Sequence, residues 1–80
     1  MDDKTIMHHI EELVNEEHAL TQQSAQGGLD DAGHARMKAL EVSLDQCWDL
    51  LRQRRARRHA GLNPEDAHVR DEQIVEHYQQ

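Results

Sequence analysis

Eighty residues with nine bases, sixteen acids and a net charge of −7 at pH 7 make one domain at most, too short to bury a large core alone. The acidic balance argues against non-specific nucleic-acid binding by the whole surface. The single cysteine, Cys47, excludes an intramolecular disulfide; with no signal-peptide segment and no apolar run near roughly 18 residues, the sequence reads as cytoplasmic, with no membrane partner.

The first predicted element is a helix from about Lys4 to about Ala25, capped by Asp2 or Asp3, whose carboxylate can accept orphan backbone N–H groups. Ile6, Ile10, Leu13 and Leu20 form its apolar stripe, Glu17 fills the missing position, and Met7 and Val14 widen the face. Gly27-Gly28 ends it, because glycine reaches the left-handed conformation a C-cap needs. Asp30 is the expected N-cap of a second helix, from about Asp31 to about His59. Met37, Leu40, Leu44, Cys47 and Leu51 alternate steps of three and four, a heptad-like seam, with Trp48 and Leu50 beside it. Gly61 and Pro64 stop this helix.

A short loop makes the two helices antiparallel neighbours. Folding at Gly28 then sets Ile6 against Leu51, Ile10 against Cys47, Leu13 against Leu44 and Leu20 against Met37. The second helix outlasts the first by roughly seven residues, about 10 Å, and the acidic tail or a second subunit must cover this Arg-rich overhang. The tail, 61–80, opens with Asn63-Pro64, a cap followed by a tolerated first-turn proline. Ile74, Val75 and Tyr78 can form one face of a short helix there.

The expected fold is therefore all-α: a helical hairpin over 1–60 and a short acidic C-terminal tail over 61–80 able to form a helix. The apolar share is 36%, with one Trp, one Tyr and no Phe. That lean core predicts dimerisation into a four-helix bundle. Ile6, Ile10, Leu13, Leu20, Met37, Leu40, Leu44, Cys47, Trp48 and Leu51 are the expected packing residues.

Charge is distributed unevenly. Residues 1–31 carry eight acids and one base, residues 32–60 three acids and seven bases, and residues 61–80 five acids and one base. The candidate interaction surface is Arg52, Arg54, Arg55, Arg57 and Arg58. Guanidinium groups bind phosphates, but cations also suit a helix C-terminus, and the hairpin brings Asp2, Asp3 and the acidic tail close. No interleaved aromatics support base stacking. Charge pairing within or between subunits is the stronger reading, and a nucleic-acid-associated accessory protein is the rival.

The seven histidines raise a metal-bundle alternative. His9, Glu12 and Glu16 share a helix face, and Glu65-Asp66-Ala67-His68 has the Glu-x-x-His spacing of di-iron bundles. The motif is short and recurs by chance, so solvated histidines are the default and no metal or cofactor is expected. Cys47 reads as a small core residue. There is no nucleophile–base pair, no phosphate-cradling glycine loop and no catalytic motif, so an enzyme is not expected. The expected function is a self-associating protein–protein interaction module, with an unidentified protein partner open.

Three strings carry a resemblance: Glu16-Glu17-His18-Ala19-Leu20, Leu44-Asp45-Gln46-Cys47-Trp48-Asp49-Leu50-Leu51-Arg52-Gln53-Arg54-Arg55-Ala56 and Gly61-Leu62-Asn63-Pro64. They resemble domain of unknown function 2630, a family of short, mainly actinobacterial proteins, over nearly the whole chain. The resemblance implies a cytoplasmic, stand-alone small protein and no particular activity. In that family prolines often follow the Val-Arg of the tail. Here Asp71-Glu72 follow Val69-Arg70, which leaves a tail helix from about Asp71 sterically open.

Overall fold

The computed structural model describes residues 2–76. Two long helices, α1 (Asp3–Gly27) and α2 (Asp31–His59), are followed by a 3-10 turn at Pro64–Asp66 and a short helix, α3 (Glu72–Glu76). No strand occurs among the described residues. α1 and α2 pack as a hairpin, and both the 3-10 turn and α3 pack back onto α2.

Local chemistry sets these boundaries. Asp2 caps α1 by accepting from the Thr5 N–H at 2.8 Å, and Asp30 caps α2 by accepting from the Gly33 N–H at 2.7 Å. Gly28 takes φ +86° at the end of α1 and Gly61 φ +76° just beyond α2, where a Cβ would strain the backbone. Asn63 caps the 3-10 turn through the Glu65 N–H at 3.0 Å, and Asp71 accepts from the Gln73 N–H at 2.8 Å to start α3. α1 spans 25 residues and α2 spans 29, so the overhang of α2 is shorter than the sequence suggests.

The core is thin, and one stripe supplies most of it. Ile6, Ile10 and Leu13 of α1 pack with Leu40, Leu44, Leu50 and Leu51 of α2, while Leu20, Cys47 and Ala67 lie half-buried against them. Met37 is also half-buried. Trp48, expected among the packing residues, is instead 44% exposed, while its neighbour Leu50 is 5% exposed. Two residues along a helix turn the side chain by about 160°. Leu50 therefore faces the returning tail, and Trp48 faces the side that the tail leaves open. In α3 only Val75 is buried; Ile74 is 54% exposed, because adjacent helical residues cannot share one narrow contact. Tyr78, the third residue of the expected tail face, lies outside the described residues.

Candidate interaction face

α2 carries three functional stripes. The first meets α1. The second is polar: Gln46, Asp49 and Gln53 recur at steps of three and four, so they share one face. This face holds the tail. Arg70 grips Asp49 with two nitrogens, its Nε donating to Oδ2 at 2.8 Å and its Nη2 to Oδ1. Gln53 donates to Asp49 at 3.0 Å and to the His68 carbonyl at 2.8 Å, and Gln46 donates to the Arg70 carbonyl at 3.2 Å. Residues 68–70 have no helix of their own, so these side chains satisfy backbone groups that a helix or sheet would otherwise use.

Asp49 is completely buried, at 0% exposure. A buried carboxylate is costly unless paired and hydrogen-bonded. The Arg70 guanidinium, with help from Gln53, holds its carboxyl below the ordinary range despite that burial. Arg52 approaches the same carboxylate to 3.8 Å.

Within the arginine run, the structure separates residues that the sequence groups. Arg54 is 6% exposed. Its Nε donates to Asp3 at 2.5 Å, its Nη1 to the Pro64 carbonyl at 3.2 Å and its Nη2 to Glu65 at 3.2 Å. It thus ties the start of α1 to α2 and to the tail. Arg58 adds a second grip on Asp3, at 2.8 Å. These two guanidinium groups hold the Asp3 carboxyl below the usual carboxylate range. Arg54 is thereby removed from the expected external surface, because it continues the α2 seam one step past Leu51. Glu65, weighed above as half of a Glu-x-x-His motif, points to Arg54 instead. Arg55 is exposed and Arg57 half-buried. At the loop end Arg36 pairs with Glu16 across the hairpin, which lowers the Glu16 pKa.

The third stripe is the one left open. Trp48, Arg52 and Arg55 recur at steps of four and three along α2, and all three are exposed. Met7 and Val14, one heptad apart on α1, are 41% and 43% exposed. In an antiparallel pair, residues offset in the same rotational sense from the seam fall on one side of the hairpin. Met7, Val14 and Trp48 share that sense. His9, Ser43 and Leu50 share the opposite one. On that opposite side, Ile6, His9, Ser43, Gln46, Cys47, Leu50 and Val69 line an open cleft of about 180 Å³, beside the tail. Burial pushes the Cys47 thiol pKa up, which keeps it protonated and a poor nucleophile at neutral pH.

Among the described residues, no three His, Cys, Asp or Glu side chains converge to hold a metal ion. His8 lies 3.6 Å from Glu12, and His18 contacts Gln22. No helix among the described residues is long and apolar enough to cross a membrane.

The architecture defines a class: an all-helical hairpin strapped by its own tail, with an open apolar and arginine face. Residues 2–80 match the family model described as protein of unknown function DUF2630, and the chain belongs to that family. Similar proteins include Uncharacterized protein Rv0898c of Mycobacterium tuberculosis (strain H37Rv) and Uncharacterized protein Mb0922c of Mycobacterium bovis. Each is 46% identical over 77 residues, which cover 95% of this chain and 88% of the relative. No solved structure matches the chain.

Two predictions follow from the clamps. In the folded protein the Asp49 and Asp3 carboxyls titrate below their ordinary values. Their stabilising contribution is therefore complete above the unfolded carboxylate pKa, about 3.9. It is lost as the pH falls through the depressed folded values. Glu76 runs the other way, raised by desolvation and the neighbouring Asp45 carboxyl. Acid titration followed by NMR should move the resonances of residues 67–72 towards unfolded positions before those of Leu40 and Leu44. Separately, Arg54→Ala should lower the melting temperature by roughly 4–15 °C, whereas Arg55→Ala should leave it nearly unchanged; calorimetry compares them.

Proposed function

We propose that this protein is a non-catalytic protein–protein interaction module that works by self-association. The observation supporting this reading is the open face: Met7, Val14 and Trp48 remain exposed together on the side of the hairpin opposite the tail. Large apolar side chains grouped on a surface and rimmed by charge favour burial against a partner. Trp, Met and Arg are the residue types enriched in interface centres, and Trp and Arg dominate their energetics. The small intramolecular core gives the same argument from stability, since a second copy adds the apolar contact that an 80-residue chain lacks.

The rival nucleic-acid reading draws less support. It depends on the arginine run acting as one patch, yet Arg54 and Arg58 pair with Asp3. Arg52 and Arg55 flank a tryptophan, where guanidinium groups also stack on the indole of an interface. The −7 net charge opposes a polyanion at long range.

Sedimentation velocity over a wide concentration range tests the reading. The expected result is a reversible shift of the 9.3 kDa chain towards a dimer. Trp48→Ala should return it to monomer with unchanged helicity, because Trp48 contributes little to the hairpin's own core. A wild-type chain that remains monomeric at every concentration would overturn the proposal.

A further inference from the structure

We infer that the partner on the open face is a second copy of this chain, docked with its two-fold axis parallel to the helices, so that each α1 lies antiparallel on the partner's α2. The inference rests on the self-association proposed above and specifies its geometry.

Two symmetric arrangements bring the same face of two hairpins together. With the axis parallel to the helices, α1 covers the partner's α2 and both hairpin loops lie at one end. With the axis perpendicular to the helices, α1 covers α1, α2 covers α2, and the loops lie at opposite ends.

Charge separates the two. α1 carries five acids and one base, a net −4; α2 carries four acids and seven bases, a net +3. Packed helices lie about 8–10 Å apart, near one Debye length at physiological salt. The parallel axis surrounds each helix with neighbours of opposite sign. The perpendicular axis sets acid on acid and base on base.

The position of the apolar patch separates them again. The Asp3–Arg54 and Glu16–Arg36 pairs fix the register of the hairpin. That register puts Met7 level with Trp48, towards the open end and away from the Gly28 loop. A parallel axis lays Met7 on the partner's Trp48 twice and keeps the helices overlapped along their whole length. A perpendicular axis must pass through the patch to bury it, and set at Met7 it leaves α1 from about residue 12 to the loop without a facing helix, while α2 stays largely overlapped. The strap does not interfere: it occupies the Gln46, Asp49 and Gln53 face on the other side.

The experiment is pulsed electron–electron resonance on full-length chain in a Cys47→Ala background, spin-labelled at Gln26→Cys near the loop or, separately, at Lys4→Cys near the open end. Both native side chains are exposed, and sedimentation and circular dichroism on the same labelled samples establish that each is folded and associated. The expected result is a distance below about 25 Å at both sites, since like ends of neighbouring helices lie side by side. Dimers with the Gln26 labels about 55 Å apart, twice the rise of the helix between Met7 and Gln26, would overturn this geometry while leaving self-association intact. Samples that sediment as monomers and give no intermolecular distance would overturn both.

Discussion

A fully buried carboxylate on the middle of α2 constrains the tail of this protein. Asp49 sits where an apolar side chain would be the simpler choice, and it tolerates burial because Arg70 reaches it from a segment with no secondary structure of its own. The pair makes the path of the tail specific. Few apolar side chains hold residues 61–76 to the hairpin; Val75 is buried and Ala67 half-buried. Direction and register come instead from Asp49, Gln53 and Gln46 on one side and from Arg54 on the other. Arg54 also closes the open end of the hairpin against Asp3.

This division of α2 determines what remains outside. The stripe towards α1 is spent on the core, and the polar stripe is spent on the strap. Trp48, Arg52 and Arg55 occupy the remaining stripe, on the same side of the hairpin as Met7 and Val14 of α1, with Trp48 level with Met7. The strap is therefore compatible with association, because it leaves that face clear. It also accounts for the burial of Leu50, which a two-helix hairpin alone would leave in solvent.

The sequence made most of the hairpin legible. The spacing of Ile6, Ile10 and Leu13 and of Leu40, Leu44 and Leu51 marks the core stripe, and Asp30, Asn63, Gly28 and Gly61 mark boundaries by local backbone chemistry. The site was less legible, for two physical reasons. A heptad template describes one contact face, whereas α2 has two, so it places Trp48 and Leu50 as equal flanks of the seam. Composition also treats the arginines as one run, although the three–four rhythm of Leu40, Leu44, Cys47 and Leu51 continues to Arg54 and Arg58, and on α1 Asp3 precedes Ile6 by the same step. That continuation marks a charged layer closing the seam. The spacing of Gln46, Asp49 and Gln53 was equally visible; its role was not, because the partner, Arg70, lies in a segment without periodicity.

The most direct test of the account is a double-mutant cycle on unfolding free energy using Asp49→Leu, Arg70→Met and the two together. If the buried pair fixes the strap, each single change strands a charge or loses a clamp, and the double mutant is less damaged than the sum of the two. A coupling of about 0.5–3 kcal/mol is predicted, with amide protection of Val75 falling in each single mutant. Additivity within about 0.5 kcal/mol, with Val75 still protected, would contradict the claim and assign the tail's docking to its apolar contacts.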